Sequence, residues 1–299
     1  MTAISTGTRR TNRAGTADTD RKQRGPQRTN PATYGTLVVI ALISAFPLYY
    51  MLVGASRTND QIGKVPPPLL PGGNLLHNLK VVFANPDANI GTGLINSFLA
   101  ASIVTASMVF FCSLAGFAFA KLRFRGKSAL LLIIIGAMMV PIQLGVIPLY
   151  LTMVKLGWLN MLPAITIPFL VGGFGVFMMR QYTMQAVPDE LIEAARVDGC
   201  NTWRTYFHVV LPALRPAAAV LGIFTFMDTW NSFFWPLIAM EDPTNPTVQI
   251  SLRSLGTGYY TDYSQVFAGT AVATVPLLLV LVVFGRQIIG GIMEGAVKA

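Results

Sequence analysis

The sequence predicts an all-α membrane protein with six transmembrane helices and both termini in the cytoplasm. Three observations predict it. The 299-residue chain is 53% hydrophobic and only 12% charged, with a mean hydropathy of +0.55, which is fewer charges than a soluble domain carries. Its apolar residues gather into six blocks, 34–55, 94–120, 128–151, 159–179, 216–240 and 266–285, each long enough as a helix to cross about 30 Å of hydrocarbon. Lysine and arginine fall mainly on one side of that succession.

Helices follow because each block must satisfy its backbone hydrogen bonds internally, and the alternating ten-residue pattern of a membrane barrel is absent. Cytoplasmic loops collect lysine and arginine. With a cytoplasmic N-terminus, the tail, the 121–127 loop, the 180–215 loop and the C-terminal end carry 17 of the 22 positives. The opposite side holds five, Arg57, Lys64, Lys80, Lys155 and Arg253, balanced by five acids.

Taken in order, residues 1–30 are polar and basic, with Arg9, Arg10, Arg13, Arg21, Lys22, Arg24 and Arg28. They show no periodicity, so a disordered cytoplasmic tail is expected. The long basic stretch and a following block of spanning length argue against a cleavable signal peptide. The tail's charge suits retention in the cytoplasm and contact with anionic membrane lipid. No fold or aromatic interleaving supports nucleic-acid binding. Residues 31–299 form the membrane domain, with external loops at about 57–93 and 241–265. Pro141 and Pro148 flank Gln143, and Pro163 and Pro168 interrupt block four. Prolines weaken the helical ladder, and irregular backbone is tolerated only against protein or a cavity.

The fifth block holds the one ionisable residue deep in a span, Asp228. Such residues face a bundle interior or an aqueous cavity. At helical spacing Asp228, Asn231 and Trp235 share one face. That face either lines a translocation path or serves helix contacts and the interfacial aromatic belt. The six blocks hold no arginine or lysine to meet a phosphate. Cys112 and Cys200 are far apart and form no CxxC motif, so no metal site or disulfide framework is indicated. Gly126-Lys127-Ser128 is the one fragment like a phosphate-binding loop, but Lys121 stands where its first glycine belongs. No nucleotide site follows, so the chain is expected to be a transport subunit without catalysis or cofactor of its own.

The polar gap at 184–212 carries the most specific signal. Pro188 suits a first helical turn. Asp189 and Glu190 suit the positive end of the helix dipole. Gly199 suits the position after a helix end. A short helix over 188–198 is expected, then a second through about Val210, capped by Asn201 or Thr202. Small Ala194 and Ala195 would let a partner approach closely, and Glu193 would offer it a charge.

The stretch Glu193-Ala194-Ala195-Arg196-Val197-Asp198-Gly199, with Leu211-Pro212 eighteen and nineteen residues after Glu193, resembles the EAA loop of binding-protein-dependent ABC importers. Val209 stands where that pattern usually has isoleucine. Residues 34–299 resemble the maltose-type carbohydrate-uptake permeases, specifically the six-helix member of the usual pair. Thr229-Trp230-Asn231-Ser232-Phe233-Phe234-Trp235-Pro236-Leu237-Ile238 resembles the fifth-helix pattern of that family. Gly295-Ala296-Val297-Lys298-Ala299 resembles its C-terminal tail, and Pro66-Pro67-Pro68 before Asn78 and Phe83 its first external loop. The resemblance implies the type I importer permease fold. It implies a second homologous permease, two ATP-binding cassette subunits that bind the ATP, and a binding protein delivering a carbohydrate from outside. It also implies that Glu193, Ala194, Ala195, Asp198, Gly199, Leu211 and Pro212 couple the chain to the ATPase, and that the external loops meet the binding protein. An ion-coupled transporter would show coupling-ion sites and often inverted repeats, and one Asp with no visible repeat argues against it. A scaffold would not need the coupling loop. The same architecture importing glycerol-3-phosphate or a related polar solute is the main alternative.

Overall fold

A computed structural model describes residues 31–257 and 261–297, with side chains through residue 285. The basic tail 1–30, Tyr259, Tyr260 and the terminal Lys298-Ala299 lie outside the described residues. The chain divides at Pro47 into two units. In the first, residues 31–47 begin α1 (Pro31–Ala55), with the Thr36 hydroxyl donating to the Ala32 carbonyl at 3.0 Å.

The second unit is helical throughout, and no strand occurs among the described residues. It holds the end of α1, then α2 (Asn59–Ile62), α3 (Leu75–Ala84), α4 (Ile90–Lys121), α5 (Lys127–Met138), α6 (Val146–Leu156), α7 (Leu162–Thr166) and α8 (Gly173–Ala186). Then come α9 (Asp189–Val197), α10 (Thr202–Thr205), α11 (Leu211–Ala213), α12 (Arg215–Asn231), α13 (Phe234–Ala239), α14 (Val248–Leu255) and α15 (Tyr263–Val297). Four stretches are long and apolar enough to cross a membrane: Pro31–Ala55, Ile90–Lys121, Leu162–Ala186 and Tyr263–Gly285. Two more candidates are bent pairs. Lys127–Met138 meets Ile142–Leu156 at 91°, and Thr202–Ala213 meets Arg215–Asn231 at 76°.

The breaks follow the prolines. Pro141 ends block three's first half, and a 3-10 turn over Ile142–Gly145 carries Gln143 at the bend. Pro236 has no N–H for the Ser232 carbonyl, so α12 stops at Asn231 and Ser232 turns extended (ψ 122°) before α13 begins. Val187 precedes Pro188 and is extended, which ends α8 at Ala186. That helix runs past the expected block and takes Arg180 into the candidate span, correcting the expectation of spans free of cations.

Lipid tails are as apolar as leucine, so helix association in a membrane relies on close packing and polar links. Both are present. Gly116 on α4 meets the backbone of Met179 and Arg180 on α8. Buried Trp230 donates its indole N–H to the Ala273 carbonyl at 3.2 Å. Asn96 donates to Asn245 Oδ1 (2.7 Å) and to the Pro246 carbonyl (2.9 Å). Asn245 in turn donates to the Asn160 carbonyl at 2.6 Å, and Asn160 Oδ1 accepts from the Asp242 N–H at 2.8 Å. These three asparagines clasp α4, the turn before α7 and the segment after α13. The 57–93 loop is pinned as well. Arg57 grips the Leu70 carbonyl (2.9 and 3.1 Å), and Asn78 donates to the carbonyls of Ala55 and Arg57 (both 2.8 Å).

Candidate functional site

The polar loop after α8 folds into two short helices joined by a tight turn. Asp189 and Glu190 occupy the first turn of α9, with Pro188 just ahead of it at the capping position rather than inside. The helix closes with the Gly199 N–H donating to the Arg196 carbonyl (3.0 Å) and the Cys200 N–H to that of Ala195 (2.9 Å). Gly199 sits at φ +76°, where a side chain would be strained. Asn201 caps α10, its Oδ1 accepting from the Arg204 N–H at 2.9 Å. A π turn over Tyr206–Val210 and the short α11 follow, and the chain bends into α12 at Leu214.

Ile192 and Ala195, three residues apart, form the buried stripe of α9. Ile192 joins a core with Phe117 and Phe119 of α4, Met179 of α8, and Tyr206 and Val210 of the loop. Glu193, Ala194, Asp198 and Gly199 are exposed. Ala195 is therefore a packing residue, not a contact for a partner, which corrects the expectation that both alanines face outward. Leu211 is half-buried and Pro212 exposed.

Sequence reasoning missed the exposed apolar residues of this loop. Val197 is 88% exposed, and Leu191, Trp203 and Phe207 are exposed beside it in sequence. Trp203 and Phe207 stack with centroids 6.3 Å apart. Large apolar residues in a polar loop were the available signal.

The loop is also tied by charge. Lys121, its side chain 7% exposed at the end of α4, bonds Asp189 at 2.6 Å. That hydrogen bond, then the Lys121 charge, holds the Asp189 carboxyl below its ordinary range. A depressed folded-state pKa means the link stabilises above the ordinary carboxylate range and is lost as pH falls through the lower folded value. Asp189→Asn is expected to lower the melting temperature slightly at pH 7, and the gap from the unaltered chain should close on acidification. A gap independent of pH would assign the effect to something other than this pair.

The proposed path residues are not brought together as expected. Asp228 and Asn231 stay on one exposed stretch of α12, and Asn231 Nδ2 donates to the Met227 carbonyl at 2.8 Å. Trp235 lies beyond the break, 6% exposed, donating its indole N–H to the Ala164 carbonyl at 2.9 Å. It packs α13 on α7 and shares no face with the other two, because the helix is interrupted at the extended Ser232. Gln143 is exposed at its bend. Among the described residues, no hydrogen bond joins Gln143 to Asp228 or Asn231.

Residues 109–290 match the family described as binding-protein-dependent transport system inner membrane component. The chain belongs to that family and is a multi-pass inner-membrane permease subunit of the ABC transporter class. The lactose transport system permease protein LacG of Rhizobium radiobacter is 34% identical over 267 residues, covering 89% of this chain and 95% of its own. The sn-glycerol-3-phosphate transport system permease protein UgpE of Yersinia enterocolitica is 29% identical, with 86% and 94% covered. Among solved structures, a bacterial ABC transporter involved in the import of the acidic polysaccharide alginate matches with a TM-score of 0.72. It has 23% identity over 86% of this chain and 95% of that one, and so shares the fold.

Proposed function

We propose that this chain is one of two homologous permeases in an ATP-driven importer of a carbohydrate, an oligosaccharide in particular. Residues 184–212 couple it to separate ATPase subunits, which bind the ATP. The observation that carries this reading is how α9 is presented. Ile192 fastens it to the α4–α8 core and Ala195 is buried beside it on the same stripe, while Glu193, Ala194, Val197 and Asp198 are exposed. A loop serving only as a connector would gain nothing from exposing Val197, Trp203 and Phe207.

Six crossings support that role. The 91° pair counts as one broken span, and α12 continues through α13 as another, because the 76° bend at Leu214 separates it from the loop. The charge count places both termini and the coupling loop in the cytoplasm. The domain division is then a basic tail over 1–30 and a permease domain over 31–299. The pinned 57–93 loop and the clasped 241–265 loop face outside and receive the binding protein. Asp228 and Asn231 line the path, where a carboxylate and an amide suit sugar hydroxyls, and Gln143 marks a second opening at the bend. Trp235 serves packing.

The likeness to LacG favours a sugar. The likeness to UgpE, named for sn-glycerol-3-phosphate transport, keeps a phosphorylated solute as the second reading. Arg180, half-buried in α8 with Nη1 donating to Gln181 Oε1 at 3.1 Å, is the cation that reading would use. The deciding experiment purifies the chain from native membranes in mild detergent and identifies its companions by mass spectrometry. The accompanying binding protein is then titrated with lactose and with glycerol-3-phosphate. A second permease and an ATPase are expected, with sugar bound. Copurification with no ATPase in several detergents would overturn the importer reading, and binding of the phosphate ester alone would select the second substrate class.

A further inference from the structure

The coupling loop is held to α4 by more than apolar contact. Tyr206, fully buried, places its hydroxyl 2.7 Å from that of Ser113, ninety-three residues earlier in the chain. Its ring lies 5.9 Å from Phe117 on one side and 4.9 Å from Phe207 on the other. Phe207 stacks on Trp203. Four rings thus run in unbroken succession from inside α4 to the exposed surface beside α9.

Local geometry serves this arrangement. Tyr206, Val210 and Leu214 are spaced four residues apart and all are fully buried. An α-helix turns about 100° per residue, so four-residue spacing drifts by about 40° each step. The π turn over Tyr206–Val210 is wider and offsets that drift. The segment is wound so that Tyr206 meets Ser113 while Val210 and Leu214 stay in the core.

We propose that Tyr206 is a positioning residue that locks the coupling loop in register on α4, so that displacement of α9 passes into the membrane helix instead of being lost as slip. The proposal rests on the coupling role given to residues 184–212. Apolar packing is non-directional and tolerates sliding. A hydroxyl pair inside an apolar core does not, because any slip strands the buried Tyr206 hydroxyl. Ser113 also donates within α4 to the Phe110 carbonyl at 3.0 Å, so its hydroxyl is available as the acceptor for Tyr206. The bond is thereby directed into the helix ladder of α4 itself.

The test uses the complete transporter purified with its own partners, with ATP plus vanadate as the probe and amide hydrogen exchange as the readout. In the unaltered protein, nucleotide trapping should change exchange in 189–199 and in 110–121 together. Tyr206→Phe keeps the ring and removes the hydroxyl, and Ser113→Ala removes the other end. In both, the response of 189–199 should persist while that of 110–121 falls about threefold to tenfold, the scale of one lost hydrogen bond. If Tyr206→Phe fails to assemble, Ser113→Ala reads the same bond. Thr205→Val is the control. It removes a neighbouring buried hydroxyl that bonds only within the loop, to the Asn201 carbonyl at 3.0 Å, and should leave both responses intact. Full response of 110–121 in Tyr206→Phe and Ser113→Ala would overturn the proposal. So would equal loss in Thr205→Val, which would mean general loosening. An unaltered transporter whose 189–199 segment ignores nucleotide would remove the coupling-loop reading itself, and this proposal with it.

Discussion

Glu193→Arg is expected to strip the ATPase from the purified transporter while leaving the chain folded. Glu193 is exposed on α9, one position beyond the buried Ile192. Surface substitutions of that kind change stability by about 0.5 kcal/mol or less. A like-charge pair with Arg196, three residues on, adds a few tenths of a kcal/mol. At an interface the sum is different. Removing one partner of a desolvated charge pair costs roughly 2–5 kcal/mol, and reversal adds repulsion. That is about thirtyfold to several thousandfold in affinity. The measurement is the amount of ATPase recovered per mole of chain, beside the melting temperature of each preparation. Val197→Asp should act in the same direction, since it places a charge at an aliphatic residue that is 88% exposed. ATPase recovered in full with Glu193→Arg would sink the role given to this helix. Loss of ATPase together with a large fall in melting temperature would mean that the substitution damages the chain instead.

The parts of this site visible in the sequence are those set by local chemistry. Gly199 and Asn201 mark a helix end and a helix start because a positive φ and an N-cap are short-range demands. The apolar blocks are visible because crossing a bilayer needs only length and composition. What stayed hidden depends on contacts distant in sequence. Nothing near Tyr206 announces Ser113. The inward stripe could have been found from the three-residue spacing of Ile192 and Ala195. The alignment of Trp235 with Asp228 and Asn231 fails for a local reason, since the helical period does not continue through the extended Ser232. The bend angles at 139–141 and at Leu214 are products of packing, and no spacing rule yields them.

The second large effect concerns how closely α4 and α8 approach. A Cβ added to Gly116 would lie 2.8 Å from the Arg180 nitrogen, the Met179 carbonyl carbon and the Met179 Cβ. Two of these are backbone atoms, so no rotamer change relieves the clash and the helices must part. Parting them disturbs the core that Phe117, Val176, Met179 and Tyr206 share, and with it the support of α9. Overpacking a close contact costs about 1–3 kcal/mol, occasionally more. Gly116→Val belongs at or above the upper end, because its added bulk meets main chain. Gly116→Ala should also destabilise, although alanine favours a helix over glycine by about 1 kcal/mol. Gly136 on α5 supplies the contrast, because a Cβ there meets nothing within 4 Å, so Gly136→Ala keeps the propensity gain without the clash. The expected order of melting temperature, measured on the chain in one detergent, is Gly136→Ala at or above the unaltered protein, then Gly116→Ala, then Gly116→Val. The last should lie several degrees lower, at roughly 2–4 °C per kcal/mol for a chain of this size. If Gly116→Ala proved as stable as Gly136→Ala, the α4–α8 approach would be looser than 2.8 Å allows, and the core that holds Ile192 of α9 would have room to yield.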